Sequence, residues 1–393
     1  MDRGVSFADL AVDLERLSAL GRRRSLHETV GLDFSSNDYL GFAASLELRE
    51  AASDALLRGV PVGAGGSRLL RGNHAEHEAL EEAAACFFGA DSALYFGSGF
   101  AANLTLFATA PQRGGLVVHD EWIHASVLDG LRRGRAEVES ARHNDTQSIE
   151  DVIRRWRAAG GLGLVWIAVE SLYSMEGDGP DLAELHALAN RLDAILVIDE
   201  AHATGVLGPQ GRGRAAILEG QDNVVTVHTC GKALGTVGAL ICAPRVLKDF
   251  LINRGRPFIF ATAPSPLLAA VTRAALALCE RSDERRERLQ RLITIAGRAA
   301  RNCGIATSGS HVIPVVVGGD RLAVRLAERL RARGFDVRAI RPPTVPAGTA
   351  RLRIALTLNV DETAIDNLFQ ALAVEMAAAD ADEDTSVCRD PTG

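Results

Sequence analysis

Short apolar runs recur along this chain, and helical spacing fills the gaps between them. Runs rich in Val, Ile and Leu fall at 92–96, 115–119, 164–170, 195–198, 224–229 and 238–243. Between them, apolar residues repeat every three or four positions at 75–88, in a helix opened by Gly97–Asn103, in one begun by His124-Ala125-Ser126, at 148–158 and at 182–192. Runs of that length bounded by turn residues predict buried strands, and the intervening period predicts amphipathic helices. Regular alternation of the two predicts an α/β domain with a largely parallel sheet. In such sheets ligands bind at the carboxyl ends of the strands.

The two ends of the chain read differently. Phe7, Leu10, Leu14, Leu17 and Leu20 predict an amphipathic helix over 5–25, closed by Gly21 and Arg22-Arg23-Arg24. Those arginines suit either a solvated helix end or an anionic substrate. A short strand at 32–36 and a helix reaching about Arg58 follow. Beyond about Phe250 the chain predicts one long helical stretch at 266–303, then strands and a helix at 311–317, 321–333, 336–340 and 351–358. That is an α+β C-terminal domain. The expected division is an N-terminal segment 1–40, a large domain 41–278, a C-terminal domain 279–380 and a disordered tail 381–393.

Composition narrows the function. Hydrophobic residues make up 47% and charged residues 24%, and no apolar run approaches the length of a membrane span, so a soluble globular protein is expected. A net charge of −7 argues against non-specific nucleic-acid binding. Cysteines 86, 230, 242, 279, 303 and 388 form no C-x-x-C pair, which suits reduced thiols and a cytoplasmic location. His74 and His77 stand three apart with no third ligand at metal-binding spacing, so no metal is expected.

The candidate chemistry centres on one residue. Of 43 basic residues only two are lysines, Lys232 and Lys248. Lys232 lies in a small-residue turn, Thr229-Cys230-Gly231-Lys232-Ala233, directly after a predicted strand. Arginine stays protonated, whereas a desolvated lysine can become a neutral amine and condense with an aldehyde. Other strand ends carry Gly97-Ser98-Gly99-Phe100, His124, Ser174 and Asp199-Glu200-Ala201-His202. A glycine turn opening a helix offers free N–H groups to a phosphate.

Three readings compete for these residues. Asp199–His202 spells the DEAH box of helicases, but no G-x-x-x-x-G-K-[ST] loop accompanies it. Gly97–Ala102 followed by Asp120 resembles a dinucleotide fingerprint, but it begins about ninety residues into the chain and leaves Lys232 without work. A pyridoxal-phosphate (PLP) enzyme uses all of them: Lys232 for the aldehyde, Asp199 for the pyridine nitrogen, His202 for the phenolic oxygen, and Gly99, Phe100 and Thr229 for the phosphate. Outside catalysis, a PLP-binding regulator or a scaffold with a dead site is the rival, and the complete Lys, Asp and His set argues against it.

The stretches SSNDYLG, GSRLLRG, FGSGFAAN, HAS at His124, RHND, ESLYSMEGDGP, VIDEAHATGVLG, TCGKALG and RPPTVPAGTARLR lie in order between residues 35 and 353. In them the chain resembles the α-oxoamine synthases, PLP enzymes of fold type I. The resemblance implies that fold, with a mostly parallel seven-stranded sheet in the large domain. It implies catalytic roles for Lys232, His124, Asp199 and His202. Gly99, Phe100, His124, Ser174, Thr229 and Thr262 would join Asp199, His202 and Lys232 around the cofactor, with Thr262 reaching a neighbouring subunit of a homodimer with shared sites. Arg22, Asn37, His124, Thr344 and Arg353 would hold substrates. The proline-rich stretch 341–353 is typical of the branch that condenses L-alanine with a pimeloyl thioester of coenzyme A or acyl-carrier protein. Branches making aminolevulinate, aminoketobutyrate or ketosphinganine carry variants of it. Cys230, Thr236-Val237, and the alanines flanking Thr262 depart from the family pattern without removing a catalytic group.

Overall fold

The computed structural model describes residues 7–26 and 28–387. Its chain divides into two compact units. One holds the residues up to Ser36, Met175–Gly177, and those from Arg288 on; the other holds Asn37–Ser174 and Asp178–Glu287.

The first unit begins with α1 (Ala8–Ala19), which is shorter than its sequence period predicts. None of its residues is buried, and Phe7, Leu10 and Leu14 face outward. The strand β1 (Leu32–Asp33) is only two residues long.

The large unit opens with α2 (Leu46–Leu57) and α3 (Ala75–Phe88). His74 and His77 are spent at the start of α3: His74 Nδ1 accepts from Glu76 N, and His77 Nδ1 accepts from His74 N. The order continues β2 (Ser92–Phe96), α4 (Gly99–Thr109), β3 (Leu116–Asp120), α5 (Ala125–Arg133), β4 (Glu137–Ala141), α6 (Thr146–Ala158), β5 (Val165–Glu170), α7 (Leu182–Arg191), β6 (Ala194–Asp199), β7 (Val224–Thr229) and β8 (Ala239–Ala243). These strands form one seven-stranded sheet, β2-β8-β7-β6-β5-β3-β4. Only β8 runs antiparallel to its neighbours. Along β3 and β5 alternate residues enter two cores. Val117 and Trp166 pack with Leu106, Val127 and Phe258, while Leu116, Val118, Val165 and Ile167 pack with Ile149, Leu185 and Leu188. Helices therefore cover both faces, as continuous apolar strands require.

Sequence period missed β4. Its residues Glu137–Ser140 are exposed, and it pairs on one side only, with β3. An edge strand with polar side chains carries no apolar signature. The helices α8 (Arg245–Arg254), α9 (Arg256–Ile259) and α10 (Pro266–Glu280) follow, then α11 (Asp283–Asn302), within which the division into units falls. The single helix read over 266–303 is two, because the chain breaks at Arg281-Ser282, where Ser282 Oγ bonds Leu278 O at 2.7 Å.

The rest of the first unit contains β9 (Val312–Gly318), α12 (Asp320–Ala332), β10 (Phe335–Asp336), β11 (Arg338–Ile340), β12 (Ala350–Ala355) and α13 (Glu362–Val387). An antiparallel sheet runs β11-β12-β9, and β10 pairs with β1. The tail expected over 381–393 falls partly on residues 388–393, outside the described residues; helix continues to Val387.

The turn carrying Lys232 depends on Gly238, at φ +102°. A Cβ there would lie 2.4 Å from Tyr95 Cε2 and 2.5 Å from Phe96 O. Gly238→Ala is expected to cost about 1–3 kcal/mol, the scale of such backbone strain, in urea unfolding of the apoprotein.

Candidate active site

Parallel strand order brings the sequence candidates of the large unit to one edge of the sheet. Gly99 and Phe100 follow β2, His124 follows β3, Ser174 follows β5, His202 follows Asp199 at the end of β6, and Lys232 follows Thr229 at the end of β7. Arg22, Thr344 and Arg353 belong to the other unit.

Lys232 Nζ lies 2.8 Å from His202 Nε2. His202 Nδ1 lies 2.7 Å from the hydroxyl of Tyr39, which donates to Asn37 Oδ1 at 2.9 Å. The direction of these bonds follows from donor inventory. Tyr39 has one proton and gives it to Asn37. Its oxygen therefore accepts from His202 Nδ1–H, and Nε2 presents a lone pair to the lysine. Tyr39 is fully buried, which fixes the chain of bonds. Lys248, by contrast, is spent in an ion pair with Glu81 at 3.1 Å.

Asp199 is buried, and donors hold both of its oxygens. Asn103 Nδ2 donates to Oδ2 at 2.7 Å and Ala201 N to Oδ1 at 2.9 Å. Asn103 also reaches Ser126 Oγ at 3.0 Å, and Ser126 bonds His124 Nδ1 at 2.8 Å. His124 keeps an open face to solvent, yet its ring is crowded by protein on its other sides. That desolvation, together with the charge of Lys232, pushes its pKa below the ordinary histidine value and outweighs the pull of Asp199.

Glu170 was not among the sequence candidates. It pairs with Asp199 across β5 and β6, and both carboxyls are buried. Burial first, then the neighbouring Asp199 charge, raises Glu170 well above the usual carboxyl range. Tyr39, Asn103, Ser126 and Glu170 had no sequence signal of chemistry beyond the motifs containing Tyr39, Asn103, Ser126 and Glu170, because burial alone distinguishes them.

At the start of α4, Ser98 Oγ accepts from Ala101 N at 3.1 Å. The amides of Gly99 and Phe100 belong to the first turn, which has no intrahelical acceptor. Thr229 Oγ1 would be 3.4 Å from a Cβ at Gly99, so glycine keeps the space between hydroxyl and helix end clear. Ser174 is half-buried in the turn after β5. Thr262 is exposed between α9 and α10. In the other unit, Arg353 is buried on β12, Thr344 is exposed, and Arg22 pairs with Asp320 at 2.5 Å.

The rival motifs have other employment. Glu200 of the DEAH-like run is buried and accepts from Ala215 N at 2.7 Å and Arg214 N at 3.1 Å. Asp120 accepts from Trp122 N and Asn144 N, each at 2.8 Å. Cys230 is fully buried, and burial pushes its thiol above the ordinary range, which leaves it unreactive.

A mainly parallel seven-stranded sheet with this lysine, imidazole and acid at one edge is the PLP-dependent aminotransferase fold. The profile of the family described as aminotransferase class I and II matches residues 29–372. An 8-amino-7-oxononanoate synthase of Anaeromyxobacter dehalogenans is 41% identical over 93% of this chain and 94% of its own length. A serine palmitoyltransferase variant from S. paucimobilis with a bound PLP–myriocin aldimine superimposes with a TM-score of 0.85 at 25% identity, over 97% of this chain and 100% of that one. The crystal structure of 8-amino-7-oxononanoate synthase from Francisella tularensis gives a TM-score of 0.74 at 26% identity, over 89% and 98%. The chain belongs to the aminotransferase class I and II family and, within it, to the 8-amino-7-oxononanoate synthases.

Tyr39→Phe removes the hydroxyl that lies 2.7 Å from the buried His202 Nδ1. The expected cost is about 1–3 kcal/mol in urea unfolding of the apoprotein, the scale of one unsatisfied buried donor.

Proposed function

We propose that this chain catalyses the decarboxylative condensation of L-alanine with a pimeloyl thioester, of coenzyme A or acyl-carrier protein, to 8-amino-7-oxononanoate, CO₂ and free carrier, a step of biotin biosynthesis. The observation that carries the reading is the 2.8 Å contact of Lys232 Nζ with an accepting imidazole nitrogen. An amine that donates to a neutral imidazole beside a buried acid suits covalent capture of an aldehyde and later proton transfer. Family membership supports PLP as the cofactor.

The donor set fits that group. The opening at Gly99, next to Thr229 Oγ1, suits a phosphate received by the α4 N-terminus. Asp199 would meet the pyridine nitrogen, His202 and Ser174 the phenolic oxygen, and His124 one face of the ring. Thr262 would reach the phosphate of a second subunit. When bound, PLP supplies an aldehyde for Lys232 and a protonated ring that draws electrons from the carbon losing its proton.

The remaining work falls to the chain's own residues. Lys232 takes the α-proton of alanine and returns a proton to the product. His202, oriented by Tyr39, accepts from the amine and fixes the position of its nitrogen. Asn37 of the large unit has an amide that suits a carboxylate, and Arg353 of the other unit has the paired N–H geometry of guanidinium that suits one too. Arg22 and Thr344 would face the acyl substrate. His124, neutral at working pH because of its lowered pKa, can accept or give a proton next to the reacting carbons.

A homodimer accords with large apolar side chains left exposed, among them one just before α1. Phe7 is 79% exposed, Leu70 80% and Phe260 69%. Sedimentation equilibrium is expected to return twice the chain mass, and a monomer with full activity would rule out shared sites.

Two further outcomes test the chemistry. After PLP loading and borohydride reduction, the wild-type chain is expected to gain one reduced phosphopyridoxyl group, and Lys232→Ala none. Presented with alanine, glycine or serine and pimeloyl, acetyl, succinyl or palmitoyl thioesters, the enzyme is expected to form product fastest from alanine and pimeloyl thioester. Faster turnover of another pair would reassign the substrate.

A further inference from the structure

His143 sits in a cage that the catalytic reading does not use. It follows the edge strand β4, and its side chain is 11% exposed. Nδ1 lies 2.9 Å and 3.1 Å from the two oxygens of Asp120. Nε2 lies 3.3 Å and 3.2 Å from those of Asp178. Asn144 Nδ2 also lies 3.0 Å from Nε2 and donates to Asp178 Oδ2 at 3.1 Å. A carboxylate within reach of each ring nitrogen favours the cationic ring. The indole of Trp122 stacks on it at 4.0 Å and 27°, and Tyr173 meets it edge-on at 4.5 Å.

The cage ties together the turns that follow three strands. Asp120, Glu121 and Trp122 begin the turn after β3, which ends at His124. Tyr173 and Asp178 lie in the turn after β5, which holds Ser174. Backbone bonds reinforce both: His143 N donates to Glu121 Oε1 at 2.9 Å, and Tyr173 N donates to Asp178 O at 2.8 Å. We propose that His143 is a positioning residue for the active site, a charged pin between Asp120 and Asp178 that sets where the turns after β3 and β5 hold His124 and Ser174 against the cofactor. The His124 and Ser174 assignments come from the reading above, and the proposal rests on it.

The groups facing His143 are Asp120 at the end of β3, Glu121 and Trp122 from the turn after it, Asn144 next in the chain, and Asp178 and Tyr173 from the turn after β5. Burial alone would lower the histidine pKa. The two carboxylates overcome it and raise the pKa to about 9. Tyr173, pushed up by burial and by Asp120, stays a neutral phenol. The sign is that of a raised pKa: the pin is complete below the unfolded value of about 6.5 and is lost as pH rises through about 9.

The test reads the pin directly, without cofactor. A protonated imidazole quenches a stacked indole, and the chain has three tryptophans, Trp122, Trp156 and Trp166. In a Trp156→Phe, Trp166→Phe background, apoprotein fluorescence is expected to rise with a midpoint near pH 9, and to stay flat in His143→Gln. A midpoint near 6.5, or none, overturns the pin. PLP is then titrated into wild type, His143→Gln and Asp178→Asn below pH 8. Asp178→Asn keeps an acceptor while removing one charge and serves if His143→Gln fails to fold. At least one folded variant is expected to bind PLP several-fold more weakly, with an altered circular dichroism band of the bound cofactor, while borohydride still fixes it to Lys232. Unchanged affinity and dichroism in every folded variant overturn the positioning role. Failure of the wild-type chain to take up PLP overturns the underlying reading, and the proposal with it.

Discussion

The site depends on one imidazole being held in one tautomer. A lysine amine can be a nucleophile and a base only where its environment tolerates the neutral form. His202 provides a lone pair to it because its other nitrogen is already committed to Tyr39, and Tyr39 is committed to Asn37. Every bond in that series is directional, and the tyrosine is fully buried. Rotation of the buried Tyr39 or His202 would break two of these bonds at once, and a buried polar group that loses its bond costs more than the bond itself returns. The local order is therefore imposed by hydrogen-bond accounting rather than by rigidity of the lysine.

The sheet supplies the other half of the arrangement. Parallel strands deliver their following turns to the same edge, so residues far apart in sequence meet there. Close pairing of β5 with β6 has an electrostatic consequence as well. It places Glu170 beside Asp199, and two buried carboxyls side by side cannot both be charged cheaply. Burial and the Asp199 charge push the Glu170 carboxyl up. Asn103 and the Ala201 amide meanwhile occupy both Asp199 oxygens, which orients that carboxylate along the strand end.

Around this centre lies a second layer whose charges hold turns in place. Two such groups are the ring of His143, between Asp120 and Asp178, and Glu81, which pairs with Arg68 and Lys248. The first joins turns of the large unit, and the second ties α3 to α8 and to the loop before α3. Glu200 does the same with backbone amides at 214 and 215. These groups explain why a motif such as RHND or DEAH can recur in a chain without marking chemistry of its own.

The apolar period alone determined the α/β architecture, because burial on both faces of a parallel sheet forces continuous hydrophobic runs. Helix α3 and strands β2 and β7 have the limits that period predicts. The scarcity of lysine singled out Lys232, since nothing but chemistry distinguishes an amine from the guanidinium used elsewhere. Sequence was silent where the deciding fact is a contact between distant positions. Strand β4 pairs on one side and keeps polar side chains, the break between α10 and α11 lacks proline or glycine, and α1 has an apolar stripe but no buried residue. Tyr39, Glu170 and His143 likewise look ordinary in sequence. Their protonation and direction come from neighbours more than twenty residues away, and only the folded chain brings those neighbours within bonding distance.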